Sequence, residues 1–531
     1  MERRSIRGIR YARRLGQALA AALAMLALAG CGTNPVTGER ELQLVSQQQE
    51  VAVGTQQYAP SRQMQGGDLA VDPQLNAYVA EIGGRLAAVA DRPLPYEFKV
   101  LNSGVPNAWA LPGGKIAVNR GLVVQLADEA ELAAVLGHEI VHAAARHGAQ
   151  RMERGMLMQG AMLALQVGAA DSPYAGLVVG GAMLGANLVT ARYSRDAELE
   201  ADRYGMIYMQ RAGYDPAAAI SLQETFVRLS QGRGGGWLEG LFASHPPSPE
   251  RVAENRRTAQ ELPKGGQRHQ ERWKARTADL RRRQPAYDQY DRGVAALAKG
   301  DAQAAERHAR EALRIEPNEA RFHELLGDVE LKRRNWRGAV DHYFRAKDRD
   351  PAYFKPYLAS AIAKYESGDR AGAEPLAVRA QELLPTSTGA YLLGRFAEAR
   401  GDAQGAYELY SQAAAAESEY GTRARREAAR LGLARDPARY FQLEPRLARD
   451  GEVYAAIRNR AGIAVTGVRF VVAVVDRAGA VVTGPFEMNL GRQILQPDEV
   501  VTVPTRVGPY QDPAILPFVR FQVLQAQPLN R

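Results

Sequence analysis

Apolar residues recur at helical spacing over most of the chain, and this spacing changes to strand-like alternation near its end. Residues 72–89 place five apolar residues on one face of a predicted helix, namely Leu75, Tyr78, Val79, Ile82 and Leu86. Residues 96–101 alternate like a strand, and residues 129–145 return to helical spacing without a proline. Several short alternating runs follow residue 451. The pattern predicts a multidomain protein with a mainly α N-terminal domain that includes a small sheet, further helices, and a C-terminal β-domain.

From residue 285 to residue 435 the chain repeats itself every 33 or 34 residues. Small residues mark each unit, at Gly293, Gly327, Ala361 and Gly394. Proline closes the first three units, at Pro317, Pro351 and Pro385. Small residues at fixed offsets allow two helices to cross closely, and the period resembles that of the tetratricopeptide repeat. We therefore expect an α-solenoid over residues 285–435, whose concave surface either binds a partner or serves only as a rigid spacer.

Residues 448–531 change to the two-residue period of strands. Alternating runs occupy residues 453–457, 465–475, 481–483, 500–503 and 518–524, with glycine-containing turns between several of them. Short strands at this spacing predict a small antiparallel β-sandwich. No residue combination in it indicates chemistry, so we expect an accessory docking module.

Basic residues give the chain a net charge of +9, and many of them lie between residues 255 and 283. The interval 261–284 also loses apolar periodicity, which predicts a basic linker. This linker is either a solvated helix or a surface that contacts anionic lipid. Nothing in the chain resembles a nucleic-acid-binding module, so we expect no nucleic-acid partner.

The first 30 residues have the pattern of a secretory signal peptide. Six arginines precede a short apolar run, Leu19–Leu28, that is made only of Ala, Leu and Met and is too short to span a bilayer. The run ends in L-A-G-C, which resembles the bacterial lipobox and implies lipid attachment to Cys31, the only cysteine. A plain signal peptide with an incidental cysteine is the alternative. In a host with two membranes, Gly32 after the cysteine implies the outer one.

The sequence A-V-L-G-H-E-I-V-H-A, residues 134–143, carries the main candidate chemistry. His138 and His142 are four residues apart, so on a helix they lie on one face and can bind one metal ion from the same side. In this H-E-x-x-H pattern the glutamate, Glu139, acts as general base toward a water that the metal activates. Two core histidines that meet by chance are the alternative.

A metal held by these two histidines needs a third ligand, and the acidic run of residues 194–202 offers one. Glu198 can complete a two-His, one-Glu site, although from spacing alone it can equally be a solvated acid. Asp202, one turn later, can accept the free N–H of a liganding histidine. Glu200 is expected on the opposite, solvated face. His147 falls off the ligand face of its helix and is expected to be structural.

Three runs together resemble peptidase family M48: N-A-W-A-L-P-G-G, E-A-E-L-A-A-V-L-G-H-E-I-V-H and S-R-D-A-E-L-E-A-D. The resemblance implies a zincin-type metalloprotease domain over residues 31–260, with one zinc ion (Zn²⁺) per chain on His138, His142 and Glu198. It also implies Glu139 as base and Asp202 as support for a ligand. The opening C-G-T-N-P-V-T-G and the repeats make the resemblance strongest to periplasmic members that carry such repeats.

His245, in the run S-H-P-P-S-P-E-R, has three possible roles. Its imidazolium can stabilise the developing oxyanion. Its imidazole can instead occupy the fourth zinc position and hold the enzyme shut. A structural hydrogen bond is the third reading. Residues 232–242, rich in glycine and then apolar, are expected to form a mobile lid.

Two further features leave alternatives open. Residues 156–170 and 174–191 are apolar, but Gln159, Gln166 and Asn187 favour buried or membrane-facing helices over full membrane spans. The strand at residues 115–119 is either an edge that pairs with an extended peptide or an internal strand.

The sequence therefore predicts a lipid-anchored zinc endopeptidase in the periplasm, on the inner face of the outer membrane. Its expected substrates are unfolded or extended polypeptides, with misfolded or stalled outer-membrane proteins implied by the resemblance. The outer-membrane protein assembly machinery is the expected partner. The alternative is a non-catalytic assembly chaperone or adaptor whose zinc site is held shut by His245.

Overall fold

The computed structural model describes residues 31–156, 192–232 and 244–529. The predicted signal peptide, the apolar segment 157–191 and residues 233–242 of the expected lid lie outside the described residues. The chain divides into two compact units, Met1–Pro356 and Tyr357–Arg531. Within the described ranges, no helix has both the length and the apolar character needed to cross a bilayer.

The first unit contains most of the helices and one mixed sheet. Its helices are α1 Gln47–Met64, α2 Pro73–Ala87, α3 Arg120–Val123, α4 Glu129–Ala144, α5 Arg195–Arg211, α6 Ala218–Gly232, α7 Pro249–Glu261, α8 Gln270–Ala298, α9 Ala302–Ile315, α10 Ala320–Lys332 and α11 Trp336–Arg349. Helix α12, Phe354–Glu366, spans the boundary between the units. The strands are β1 Cys31–Thr33, β2 Arg40–Leu42, β3 Glu97–Leu101, β4 Ala108–Leu111 and β5 Lys115–Asn119.

The small sheet has the order β3-β5-β4, with β3 parallel and β4 antiparallel to β5. Strand β5, which the sequence left open as a possible edge, is therefore internal, because both of its sides are paired. Among the described residues β4 is hydrogen-bonded on one side only. Strands β3 and β4 are therefore the two edges of this sheet, and β3 makes one further bridge, from Leu101 to Asp68.

Helix α4 is the centre of the first unit, and every one of its residues is buried. Asp128 caps its start by accepting a hydrogen bond from the Glu131 N–H, which satisfies one of the orphan donors of the first turn. Apolar residues of α2, α4, α5 and α6 and of the sheet form one core around it. This burial holds the H-E-x-x-H residues in a rigid frame.

A buried ion cluster follows the end of α4. Arg146, in the left-handed region at φ +64°, bonds Glu50 at 2.8 Å and Glu153 at 3.1 Å. Arg92 bonds Glu50 at 2.9 Å and also donates to the Ala143 carbonyl at 3.2 Å. The cluster ties α1 to the C-terminal end of α4.

The interval 261–284, predicted as a basic linker that is a solvated helix or a lipid-contacting surface, includes the first half of the long helix α8. Trp273, Leu280 and Tyr287, spaced seven residues apart, are fully buried. Basic residues of this interval pair with acids of the domain before it, as in Arg268–Asp128 at 2.7 Å and Arg272–Glu129 at 3.2 Å. The apolar periodicity of this interval is weak in the sequence because most of the helix surface is charged and its buried face is narrow.

The repeats form antiparallel helical pairs in both units. In the first unit a Cβ added to Gly327 would lie 2.5 Å from the Tyr343 ring. In the second unit a Cβ added to Gly394 would lie 2.6 Å from the Tyr410 ring. Each glycine therefore allows the next helix to approach closely, as the spacing of small residues predicted.

The second unit continues with helices and ends in strands. Its remaining helices are α13 Arg370–Leu383, α14 Ser387–Ala399, α15 Ala403–Ala413 and α16 Glu419–Gly432. Its strands are β6 Phe441–Leu447, β7 Val453–Asn459, β8 Val465–Val475, β9 Val481–Asn489, β10 Val500–Val507 and β11 Val519–Pro528. They form two antiparallel sheets, β10-β7-β6 and β11-β8-β9. Residues of both sheets share one buried cluster, and the first strand begins seven residues before the predicted start at residue 448.

Candidate metal centre

Helices α4 and α5 cross at a pair of glycines, and this contact brings the candidate ligands together. A Cβ added to Gly137 would lie 3.1 Å from the Gly205 carbonyl oxygen, so a larger residue there would push the helices apart. The crossing lets Glu198, near the start of α5, reach the face of α4 that carries His138 and His142. The ligand geometry thus requires a glycine at position 137, next to His138.

Four buried side chains converge at this crossing: His138, His142, Glu198 and His245. One potential ligand atom from each lies within 4.8 Å of every other. The two histidine Nε2 atoms of α4 face each other at 3.0 Å. The Glu198 carboxylate oxygens lie 3.6 Å from His138 Nε2 and 3.4 Å from His142 Nε2. The structure therefore brings together the residues that the sequence proposed as a ligand set.

The donor set fits a divalent metal ion. Two imidazole nitrogens and one carboxylate are ligands that Zn²⁺ takes in proteins. The Nδ1 atoms of His138 and His142 are occupied by other partners, which leaves the facing Nε2 atoms for a metal. Glu139 Oε2 and His245 Nε2 are buried beside them and have no hydrogen-bond partner among the described residues. Buried polar atoms without partners are costly, and a metal with its water would supply partners.

Asp202 supports His138 from behind and is itself held by Arg251. Asp202 Oδ1 lies 2.9 Å from His138 Nδ1. Arg251 donates to both carboxylate oxygens of Asp202 at 2.7 Å and lies 2.8 Å from Glu198 Oε2 through Nη1. Burial alone would raise the pKa of Asp202, but the Arg251 charge outweighs it and holds that pKa below its usual range. The carboxylate stays ionised and can accept the imidazole N–H.

His245 reaches the centre from the segment before α7. Its Nδ1 lies 2.9 Å from Glu198 Oε1 and 3.2 Å from His138 Nε2. Its Nε2 lies 3.5 Å from Glu139 Oε1. Burial opposes its charged form, but the carboxylates of Glu198 and Glu139 outweigh burial and raise the pKa of His245. The imidazole therefore lies among the potential ligands and beside the candidate base.

Burial and neighbouring groups together set the acid–base state of Glu139, His142 and Glu198. Removal from water raises the pKa of Glu139, partly opposed by His245 and His138. Burial lowers the pKa of His142, which favours the neutral imidazole that a metal requires. Burial would also raise the pKa of Glu198, yet His245 and His142 together bring it well below its usual range.

Three neighbours of the centre were not recognised from the sequence. His147, expected to be structural, lies with its Nδ1 2.8 Å from His142 Nδ1. Glu200, expected to be solvated, lies with Oε1 3.3 Å from His147 Nε2. The Tyr193 ring stacks on the His142 ring with centroids 3.8 Å apart. No local pattern signals these contacts, because each joins residues that are distant along the chain or that leave the ideal helical face.

An apolar cavity of about 40 Å³ opens beside His138 and Glu139. Its apolar walls are Ala108, Leu122, Ala134, Val135, Met206, Met209, Ala219, Leu222 and Phe226. Ala108 belongs to the edge strand β4, all four residues of which are buried. The cavity therefore extends from the candidate centre to one strand of the sheet.

The sequence pattern described as peptidase family M48 matches residues 73–259. A putative beta-barrel assembly-enhancing protease of Vibrio cholerae is 33% identical over 199 residues, which cover 36% of this chain and 40% of that protein. The beta-barrel assembly-enhancing protease of Escherichia coli K12 is 28% identical over 317 residues, covering 54% and 64% respectively. Metalloprotease YcaL of Escherichia coli K12 is 31% identical over 186 residues, covering 34% of this chain and 70% of that protein.

Proposed function

The chain belongs to peptidase family M48, and from this premise we propose that it is a zinc-dependent endopeptidase of the bacterial cell envelope. The match spans 40% and 64% of the length of the two beta-barrel assembly-enhancing proteases, so the activity of the whole protein is an inference. One observation carries the proposal. His138, His142 and Glu198 offer ligand atoms to one point, and Glu139 lies beside them in a buried site.

In this proposal His138, His142 and Glu198 hold one zinc ion. When bound, zinc supplies a Lewis acid that polarises a carbonyl and makes water more acidic. Asp202 accepts the Nδ1 proton of His138 and so keeps the His138 Nε2 lone pair free. Burial of all three side chains excludes bulk water and fixes their orientation.

Glu139 acts as the general base. Burial raises the pKa of its carboxyl, which brings its basicity closer to that needed at neutral pH. The Glu139 carboxylate takes a proton from the attacking water and delivers it to the amine that leaves. A single buried carboxylate can do both because its Oε2 has no protein partner among the described residues.

Strand β4, hydrogen-bonded on one side among the described residues, and the cavity suggest how an unfolded chain would bind once the buried edge of β4 is uncovered. An extended peptide can pair with β4 through main-chain hydrogen bonds, which do not depend on sequence. The apolar cavity beside Glu139 then receives one side chain of that peptide. This arrangement suits unfolded or extended polypeptides as substrates.

His245 gives the second candidate function some support. Its Nδ1 lies within hydrogen-bond distance of Glu198 and His138, where it can serve as a fourth zinc ligand. A centre with four protein ligands has no open position for water. The protein would then rest in a latent state, and a non-catalytic role as an assembly chaperone or adaptor would not need the site to open.

Two relatives are named beta-barrel assembly-enhancing proteases. By similarity we extend to this chain a role in quality control of misfolded or stalled outer-membrane proteins, with the assembly machinery as partner. Lipid on Cys31 would anchor the protein to the inner face of the outer membrane. The helical repeats would hold the substrate or the partner.

Glu139→Gln tests the base directly. General-base catalysis typically contributes about 10²–10⁴-fold, so the variant should cleave casein at least about 100-fold more slowly than wild type. Its zinc content should stay at one ion per chain, because Glu139 is not a proposed ligand. Glu198→Ala should lose both zinc and cleavage. Proteolysis that survives in Glu139→Gln contradicts the assignment of the base.

His245→Ala separates the two candidate functions. If His245 holds the centre shut, its removal should increase casein cleavage while zinc is retained. If wild type and His245→Ala are both inert but the protein still supports envelope assembly in cells, the adaptor role is correct. Loss of cleavage in His245→Ala would instead assign it to oxyanion stabilisation.

A further inference from the structure

His142 is held by a second histidine as well as by its own helix. Its Nδ1 lies 2.8 Å from Nδ1 of His147, and both rings are buried. The other nitrogen of His147, Nε2, lies 3.3 Å from Glu200 Oε1. Glu200, on α5, is partly exposed, with 24% of its side chain accessible. A continuous hydrogen-bonded path thus runs from His142 through His147 to a carboxylate near the surface.

The direction of the hydrogen bonds along this path follows from the chemistry of imidazole. Two Nδ1 atoms at 2.8 Å share one proton, because two N–H groups would repel and two lone pairs would make no bond. His142 must keep the Nε2 lone pair for the metal, so its proton lies on Nδ1 and is donated to His147. His147 then carries its own proton on Nε2 and donates it to Glu200.

Stacking adds a second restraint on the same ring. Tyr193 lies on the face of His142 with an angle of 17° between the planes. The hydrogen bond to His147 fixes rotation in the ring plane, and the stacked ring limits tilting out of it. A ligand fixed in both ways loses little freedom when it binds a metal.

The two histidines of α4 are therefore supported by different means. His138 donates directly to Asp202, which Arg251 holds in place. His142 reaches its carboxylate only through an intervening imidazole. Glu200, His147 and His142 thus form a carboxylate–histidine–histidine series of hydrogen bonds. This series explains why His147 and Glu200 lie near the centre although neither was expected there.

We propose that His147 and Glu200 are positioning residues that fix the tautomer and orientation of His142 for zinc. The inference rests on the proposed function, because it assigns their role toward a metal ligand. His147 accepts from His142, Glu200 accepts from His147, and neither lines the cavity beside Glu139. Removing such support typically costs about 10–100-fold in metal affinity.

The test compares His147→Leu with His147→Asn in the full-length protein. The side-chain oxygen of the introduced asparagine can accept from His142 at the former Nδ1 position, whereas a leucine side chain cannot. We expect the zinc dissociation constant, measured by competition with a chelator, to rise about 10–100-fold in His147→Leu and to stay close to wild type in His147→Asn. Glu200→Ala should weaken zinc binding in the same direction, and Asp196→Ala, exposed on the same helix, should not.

A spectroscopic readout separates positioning from general stability. Long-range ¹H–¹⁵N spectra of histidine-labelled, zinc-loaded protein should show His147 as the Nε2–H tautomer, and Glu200→Ala should shift its signals. Equal zinc affinity in wild type and His147→Leu overturns the positioning role of His147 and leaves the proposed function intact. A His147 with its proton on Nδ1 also overturns it. A wild-type protein that takes up no zinc overturns the proposed function itself, together with the role assigned here to His147.

Discussion

Arg251 connects the two carboxylates of the candidate centre. Its guanidinium donates through Nε and Nη2 to Asp202 and lies against Glu198 through Nη1. It is 5% exposed, so the pairing is shielded from solvent. A planar group with several fixed donors is required here, because both acids must be held at once.

Arg251→Lys should therefore disrupt the site although it keeps the charge. Lysine presents a single ammonium group and cannot bond both oxygens of Asp202 in the same plane. We expect zinc affinity to fall about 10–100-fold, since support for His138 is loosened. Arg195→Lys is the control, because Arg195 pairs with Glu250 in an exposed position. Zinc titration of both variants measures the difference, and equal affinities would contradict the assignment.

At the residue scale, the sequence predicted the side chains that belong to a recognisable motif. It missed those that reach the centre only through packing in the folded chain. His138, Glu139 and His142 follow from helical spacing, and Glu198 was one of two open readings until the family resemblance favoured it. From the sequence Arg251 was one of two arginines, with Arg195, that could orient these carboxylates, and spacing could not assign it because its contacts join α5 and α7 across 49 residues. No sequence motif marks Tyr193 or His147, because ring stacking and a hydrogen bond between two Nδ1 atoms depend on how the backbone folds around His142.

At the scale of single elements, α2 shows how one glycine of a pair can be structural. A Cβ added to Gly83 would lie 2.5 Å from the Phe98 ring of β3. A Cβ added to Gly84, the next residue, would have no heavy atom within 4 Å. Gly83 therefore sets how closely α2 packs on the sheet below the centre, and Gly84 does not.

Gly83→Ala should destabilise the protein by about 1–3 kcal/mol, because the new methyl group overlaps a packed ring. Gly84→Ala should stabilise it by about 0.5–1 kcal/mol, because alanine favours the helix and meets nothing. Denaturant titration of the two variants and wild type measures both changes. Similar effects from the two substitutions would contradict the packing of α2 on Phe98.

Helix α10 contains a buried histidine that makes its stability depend on pH. Burial, together with the nearby positive charge of Arg349, lowers the pKa of His323 to about 4. A base with a lowered pKa stabilises the fold while it is neutral, so this contribution is complete above about pH 6.5. It is lost as the pH falls toward about 4, because the unfolded chain binds the proton more readily.

We expect the free energy of unfolding to fall by about 1–2 kcal/mol between about pH 7.5 and about pH 5 through His323 alone. His323→Gln should remove this part of the pH dependence, since glutamine does not titrate. Chemical denaturation at both pH values, in wild type and variant, isolates the contribution. An unchanged pH slope in His323→Gln would show that other groups are responsible.

At the scale of the whole molecule, α8 joins the metalloprotease fold to the first repeats within one unit. Trp273 is fully buried and donates from Nε1 to the Leu126 carbonyl at 3.2 Å, just before α4. At its other end Gly293 lies against Leu325 of α10. The sequence left a solvated helix or a lipid-contacting surface open here, because the many arginines concealed buried residues that are spaced by seven.

Trp273→Ala should destabilise the first unit by about 3–5 kcal/mol, the usual cost of removing a large buried side chain. Trp336→Ala, at the half-buried first residue of α11, is the control and should cost clearly less. Thermal melting of both variants measures the difference. A similar loss in both would mean that α8 does not depend on Trp273 for its attachment.

Helix α8 continues without a break from the core around α4 to the first repeats. Any change in its length must therefore be close to a whole number of turns if the repeats are to keep their direction. Each residue of a helix adds a rotation of about 100° and a rise of about 1.5 Å. Deleting one residue between Tyr287 and Gly293 would turn the first repeats by about 100° around the axis of α8. Inserting seven there would leave their direction within roughly 20° while lengthening the distance by about 10 Å. Insertions in this helix should therefore be tolerated only in steps that restore its phase.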